Sequence, residues 1–289
     1  MKSNDQNGCL WVVATPIGNL GDIGARAVET LQTVDGIICE STQHSKRLLS
    51  HCGITTKLIG KITDHQTSED VAKLLSGLLD GKSYAYVSDA GTPLVSDPGQ
   101  SVVTYAHKNT IPVKVVPGPS AVTAALSMSG FRATPFNFYG FFPEKGRAQQ
   151  ALLETMHLGE HVQVFFESPH RIEATVAWLA KNLPADRRVC VTRGLTKIYE
   201  QVWIGSALDL ESIWEICRAK GEFTIVIDKA ESGEKQEKSS QVQLLEKVIA
   251  NMAEDGFSSK QVFAALKDTG YLTKNKIYNH FLENQQKRG

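Results

Sequence analysis

Short apolar runs alternate along the chain with stretches in which apolar residues recur every three or four positions. Leu10-Trp11-Val12-Val13-Ala14 ends at Thr15-Pro16 and predicts a buried strand, because a strand covered on both faces reads as a continuous apolar run. From Asp22 to Val34, Ile23, Ala27 and Leu31 recur at the spacing of one helix face. Gly36-Ile37-Ile38-Cys39 is the next strand, and Lys46 to Leu49 belongs to a helix that stops near Gly53. The pattern then predicts a helix over Asp70 to Leu79, a strand over Tyr84 to Val87 and a helix over Pro98 to Lys108. A strand over Val113 to Val116 and a helix over Ser120 to Ser129 complete it. Such alternation implies a doubly wound α/β domain.

Beyond Pro135 the pattern changes. Phe136 to Phe141 alternates aromatic and smaller residues as a strand does. Val162 to Phe166, Arg188 to Thr192, Glu200 to Ile204 and Glu222 to Ile227 are further strands, with helices over Arg171 to Lys181 and Asp209 to Arg218 between them. This predicts a second α/β domain with a mixed sheet. The expected boundaries are 9–118 and 119–229, then a linker over 230–240 without large apolar side chains, then a helical region over 241–289. That region reads as helices over Val242 to Ala253, Ser258 to Lys267 and Lys274 to Leu282, with Ser258 as an N-cap. A packing or dimer-stabilising tail and a nucleic-acid-binding bundle fit it equally well.

The chain has 289 residues, 42% apolar and 21% charged, which suits a soluble protein of about two domains. Its 31 Lys and Arg balance 31 Asp and Glu, and no segment forms a polybasic arm. Any site for a polyanion must therefore be assembled by folding. Five cysteines (Cys9, Cys39, Cys52, Cys190 and Cys217) include no Cys-x-x-Cys pair, which counts against a zinc ribbon or a disulfide framework. Cys39 and Cys190 lie in apolar runs and read as core residues. The polar start of the chain has no apolar signal core, and every apolar run falls far short of the ~18 residues of a membrane span. The expectation is a cytoplasmic protein.

Ligands of such folds bind at the carboxyl ends of strands. Six loops stand there. Thr15 to Asp22 carries Gly18 and Gly21, Ser88 to Gly99 is long and rich in small residues with two Asp, and Val116-Pro117-Gly118-Pro119-Ser120-Ala121 makes a rigid turn. Phe165 to Arg171, Arg193 to Lys197 and Lys220 to Phe223 stand at equivalent positions in the second half. Together they suggest one cleft between two domains. The first loop lacks the dinucleotide fingerprint, and neither a phosphate loop nor a His-Glu-x-x-His motif occurs. A nicotinamide cofactor, ATP or GTP, and a metal are therefore not supported.

These loops, in this order, resemble those of the tetrapyrrole methylase superfamily, of the class III methyltransferase type. The carrying segments are Val13 to Asp22, Ser88 to Gly99, Pro117 to Ala121, Glu167 to Arg171 and Leu195 to Lys197. Within the superfamily the similarity points to bacterial enzymes that methylate the 2′-hydroxyl of a cytidine in small-subunit ribosomal RNA. The resemblance implies two α/β domains with a small C-terminal helical extension, S-adenosylmethionine in the cleft, a homodimer, and neither metal nor membrane. It implies cofactor contacts at Pro16, at Ala90, Gly91, Thr92 and Leu94, at Ser120 and Ala121, at Phe166, and at Gly221, Glu222 and Phe223.

Three segments depart from the family pattern. Glu40-Ser41-Thr42-Gln43-His44 stands where relatives carry Glu-Asp-Thr-Arg-His, and Arg193-Gly194-Leu195-Thr196-Lys197 where they carry Arg-Glu-Leu-Thr-Lys. Thr63-Asp64-His65-Gln66-Thr67 replaces Tyr-His-Glu-His-Asn. Methyl-donor binding is thus better supported than substrate identity. A ribose hydroxyl must be held in line with the methyl group and helped to lose its proton. Glu40, Glu167 and Lys197 are the candidate acceptors or orienters, and structural ion pairs would use the same residues. Lys145, Arg147, Arg171, Arg193 and Lys197 are the candidate RNA contacts. A small-molecule methylase, a paralogue with another RNA target and a non-catalytic RNA-binding factor are the alternatives.

Overall fold

The computed structural model describes residues 8–63, 66–144, 146–213, 220–230, 245–253, 255–267, 277–279 and 281–282. The chain divides into two compact units, Met1–Ala125 with Arg193–Gln201, and Leu126–Thr192 with Val202–Gly289.

The first unit has strands β1 (Leu10–Val13), β2 (Gly36–Cys39), β3 (Leu58–Lys61), β4 (Tyr84–Val87) and β5 (Val113–Val116). They form one sheet in the order β3-β2-β4-β1-β5, and every pairing is parallel. Helices α1 (Ala25–Thr33), α2 (Thr42–His51), α3 (Ser68–Leu79) and α4 (Gln100–Lys108) cross between them, and α5 (Ala121–Ser129) follows β5. The connections after β1 and β2 step toward one edge of the sheet, and those after β3 and β4 toward the other. Right-handed crossovers then place α1 and α2 on one face and α3 and α4 on the other. The cores agree. Ala27, Leu31 and Leu49 pack with Ile37, Cys39, Ala85 and Val87, while Val71, Leu75, Val102 and Ala106 pack with Leu10, Ile38, Tyr84 and Tyr86. Because β2 and β4 are buried throughout, their sequences show no alternation. These adjacent strands send their outgoing loops in opposite directions, so a topological switch point lies between them.

Several boundaries differ from the sequence reading for local reasons. The helix expected from Asp22 begins at Ala25, because Leu20–Asp22 forms a separate 3-10 turn whose Gly21 N–H donates to Asn19 Oδ1 at 2.9 Å. The helix expected from Asp70 begins at Ser68. Asp70 is not its first residue but the capping partner of Thr67, and the two exchange backbone-to-side-chain bonds of 3.2 Å each way. Strand β3 has no counterpart in the sequence reading. Leu58-Ile59 followed by Gly60-Lys61 is too short an apolar run to stand out, and β3 lies at the sheet edge.

The second unit carries β6 (Phe136–Phe141), β7 (Val162–Glu167), β8 (Arg188–Arg193), β9 (Gln201–Ser206) and β10 (Phe223–Ile227), in the order β6-β7-β10-β8-β9. β6 and β7 run parallel and β7 and β10 antiparallel, the expected mixed sheet. Helices α6 (Arg147–Leu158) and α7 (Ile172–Asn182) supply Leu152, Met156, Ile172, Val176 and Leu179 to a core with Phe165, Val189, Val191, Phe223 and Ile225. α6 is absent from the sequence reading, although its Leu152 and Met156 are four residues apart on the buried face. Its Gly146 N-cap has no side chain to announce a helix start. The first residues of the helix expected over Asp209 to Arg218 belong to a 3-10 helix that spans Ala207–Ile213, and residues 214–219 lie outside the described residues. So do 231–240 of the expected linker, 242–244 of the helix expected from Val242, and 274–276 and 280 of the helix expected from Lys274. Short C-terminal helices are present, and Ser258 caps the one over Ser259–Leu266, accepting from the Gln261 N–H. Ile249, Val262, Leu266, Ile277 and Phe281 share a small core there.

Candidate functional site

In the first unit the loops after β1, β4 and β5 are joined through their backbones. The Thr15 N–H donates to Gly91 O at 2.9 Å, the Gly91 N–H returns a bond to Thr15 O at 3.0 Å, and the Ala14 N–H donates to Val116 O at 3.1 Å. Thr15 Oγ1 donates to Ser88 O at 3.2 Å, and Thr92 Oγ1 to Pro119 O at 3.2 Å. Gly91 is favoured by its φ of +78°, and a Cβ there would stand close to Ile17 Cγ2, at 3.3 Å. Leu94 has a φ of +73°, a conformation few non-glycine residues adopt and one that gathers at ligand sites. The network brings together the loops that hold Pro16, Ala90, Gly91, Thr92, Leu94, Ser120 and Ala121. Ala90 is exposed, Ser120 and Ala121 are half-buried, and Pro16 is buried.

A polar cluster stands at the switch point between β2 and β4. The Asp89 N–H donates to Glu40 Oε2 at 3.1 Å, Asp89 Oδ1 accepts from the Ser41 N–H at 3.0 Å, and Asp89 Oδ2 lies 2.7 Å from His44 Nδ1. Asp97 belongs to the same cluster. Burial first, then the charges of Glu40 and Asp89, push its carboxyl up to about 6 against a hydrogen bond from Ser88. Sequence reasoning gave a catalytic role to Glu40 alone here, and took Asp89 and Asp97 only as part of a ligand-wrapping loop. The signal for the others was charged residues set among small ones directly after a buried strand.

The first loop also meets the segment from Arg193 to Gln201, in the same unit. The Asn19 N–H donates to Thr196 Oγ1 at 3.0 Å, and the Thr196 N–H to Glu200 Oε2 at 2.6 Å. A Cβ on Gly18 would stand 2.7 Å from Leu195 O and 2.6 Å from Lys197 Cγ, which places half-buried Lys197 beside the Gly18 turn. The Arg193 guanidinium donates to Tyr199 O at 3.2 Å and to Gln201 Oε1 at 2.8 Å.

In the second unit Glu167 is 2% exposed and its carboxylate is fully engaged. It accepts from the Ser168 N–H at 2.7 Å, from Arg171 Nε at 2.8 Å and from Thr175 Oγ1 at 2.6 Å. Arg171 also donates to Glu144 Oε1 at 3.0 Å and to Phe142 O at 2.9 Å. Although burial opposes it, these bonds raise the guanidinium pKa still further. This is the geometry of a brace between strand end and helix. Phe166 stacks edge-on against Phe138, with ring centroids 4.9 Å apart. Phe223 is 1% exposed and lies opposite Glu167 in the sheet register, so its backbone rather than its ring can meet a ligand. Gly221 has a φ of +150° and Glu222 is exposed. Arg147 is exposed at the start of α6, and Lys145 lies outside the described residues. Among the described residues no cluster of His, Cys, Asp or Glu is placed to hold a metal ion, and no helix is long and apolar enough to cross a membrane.

The family model of the tetrapyrrole (corrin/porphyrin) methylases matches residues 9–211. The chain is 40% identical over 276 residues to ribosomal RNA small subunit methyltransferase I of Synechocystis sp., covering 96% of this chain and 98% of that protein. It is 37% identical over 279 residues to the protein of that name from Vibrio cholerae, covering 95% and 94%. Among solved structures, diphthine synthase shares the fold with a TM-score of 0.60 at 15% identity, over 79% of this chain and 93% of that one. A cobalt precorrin-4 methyltransferase does so at 0.57 and 16%, over 79% and 97%. The matched span begins one residue before β1 and includes every loop of the first unit described above, and on that ground the chain belongs to the tetrapyrrole methylase family.

Proposed function

We propose that this protein transfers the methyl group of S-adenosylmethionine to the ribose 2′-hydroxyl of a cytidine in small-subunit ribosomal RNA. The observation that carries the reading is near full-length similarity, at 40% identity, to a ribosomal RNA small subunit methyltransferase. The first unit fits such a donor. Gly91 keeps the end of β4 free of a side chain, Thr92 and Pro119 tie two loops into one rim, and the Leu94 backbone is held in an unusual conformation. When bound, S-adenosylmethionine supplies an electrophilic sulfonium methyl. Pro16, Ala90, Gly91, Thr92, Leu94, Ser120 and Ala121 are the first unit's proposed donor contacts. Phe166 and the Gly221-Glu222-Phe223 turn are those of the second.

Glu167 acts in this reading as a brace and not as a base, because both oxygens of its carboxylate already accept donors. Arg171 is its brace. Exposed Arg147 and the Lys197 ammonium are the side chains assigned to RNA phosphates, with Arg193 holding the Lys197 turn in place. The chain works as a cytoplasmic homodimer. The test is label transfer from methyl-labelled S-adenosylmethionine to purified small ribosomal subunits, beside a free tetrapyrrole. Label in RNA supports the reading, and label in the tetrapyrrole alone overturns it.

A further inference from the structure

From the cluster at the switch point we infer that His44, held by Asp89, is the catalytic residue that takes the proton from the ribose hydroxyl. This rests on the methyl-transfer reading above and deepens it. Asp89 is tied on two sides before it meets the histidine, since its N–H donates to Glu40 Oε2 at 3.1 Å and its Oδ1 accepts from the Ser41 N–H at 3.0 Å. Its second oxygen, Oδ2, lies 2.7 Å from His44 Nδ1. A carboxylate offers only acceptors, so Nδ1 is the nitrogen that carries a proton toward it, and in the neutral ring Nε2 then keeps its lone pair. A carboxylate that fixes tautomer and orientation is how an imidazole is prepared as a base.

Position supplies the rest. His44 lies in the first turn of α2, and Asp89 in the loop after β4, on the two sides of the crevice that the diverging loops of β2 and β4 open. The ring is 57% exposed, so Nε2 can meet a macromolecular substrate. The two candidate carboxylates are less suited. Both oxygens of buried Glu167 already accept donors, and Glu40 spends an oxygen on the Asp89 N–H. In the step, the ribose 2′-oxygen forms its bond to the methyl carbon as the carbon–sulfur bond breaks. That electron pair passes to sulfur, leaving a neutral thioether, and the hydroxyl proton passes to Nε2. The imidazolium then releases the proton to water. Asp89 is a positioning residue.

The experiment uses the full chain, ring-labelled at histidine nitrogen, with His44→Ala, His44→Asn and Asp89→Asn. Nuclear magnetic resonance of the imidazole should show His44 protonated at Nδ1 and bare at Nε2, with that preference lost in Asp89→Asn. Protonation of neutral His44 at Nε2 instead would overturn the proposal without any activity measurement. In single-turnover methylation of small subunits, His44→Ala should slow the step by about 100-fold or more. Binding of S-adenosylhomocysteine, read by calorimetry, should stay within about twofold of the parent, and added imidazole should restore part of the rate. His44→Asn keeps a donor for Asp89 without a base, so it should bind the donor normally and be equally slow. Either His44 variant working within about fivefold of the parent rate overturns the proposal alone. A parent chain that leaves ribose unlabelled overturns the methyl-transfer reading and this inference with it.

Discussion

Replacing Glu167 by Ala separates a brace from a catalytic group. The side chain is 1% exposed and receives the Ser168 N–H, the Arg171 guanidinium and the Thr175 hydroxyl. Removing it strands the Thr175 hydroxyl, on a residue 6% exposed, and the Ser168 amide. A buried donor left without a partner costs about 1–3 kcal/mol. Arg171 keeps Glu144 and the Phe142 carbonyl, so its charge is not wholly orphaned. The loss should therefore come mainly from the two stranded donors and fall at about 2–4 kcal/mol, toward or below the low end of the ~3–5 kcal/mol seen when deleting one member of a buried pair leaves an uncompensated charge. Glu167→Gln keeps one acceptor oxygen but turns an amide toward Arg171, and should lose about 2 kcal/mol. Urea unfolding followed by far-ultraviolet circular dichroism measures both. A Glu167→Ala loss below about 1 kcal/mol, together with a fall in turnover of 100-fold or more, would refute the brace and restore Glu167 as a base.

Gly18→Ala should weaken S-adenosylhomocysteine binding by about tenfold or more, because the added Cβ must push back the Leu195 carbonyl, which would stand 2.7 Å away; calorimetry reads it. Asp97→Asn should alter stability in a pH-dependent way. The folded carboxyl titrates near 6, above its ordinary 3.8, so the fold favours the protonated form. Its contribution is complete below about pH 4 and lost as pH rises through about 6. The variant should thus gain about 1–3 kcal/mol over the parent at pH 7.5, with the gap closing toward pH 4.5, and a pH-independent difference in thermal unfolding would count against this. Arg147→Glu should raise the KM for RNA several-fold and leave the donor KM alone, and the effect should shrink with added salt in steady-state assays.

Strands buried on both faces were the most legible part of the chain. Gly36–Cys39 and Tyr84–Val87, buried throughout, have the same ends in the structure as in the apolar pattern, and so does the edge strand Val113–Val116, although its Lys114 and Val115 are exposed. What the pattern missed lacks a strong local mark, namely a four-residue edge strand at Leu58–Lys61 and a helix that starts on Gly146 without a side-chain cap. The loops of the site were legible from their glycines and prolines at strand ends. The bonds that give those loops their roles were not, because they join distant residues. His44 and Asp89 are 45 positions apart and Asn19 and Thr196 are 177 apart, brought together by strand order and by the Arg193–Gln201 excursion. Glu167 looked like a candidate base in a strand-end motif. Its partner Thr175 lies eight residues on, in α7, where a linear motif shows nothing.

Complementation tests the central claim most directly. The chain is expressed in a bacterium whose small-subunit RNA has lost its 2′-O-methylcytidine, and the RNA is digested to nucleosides for mass spectrometry. The account predicts that 2′-O-methylcytidine returns with the wild-type chain and fails to return with His44→Asn. No return with a wild-type chain that is folded and binds S-adenosylhomocysteine would contradict it.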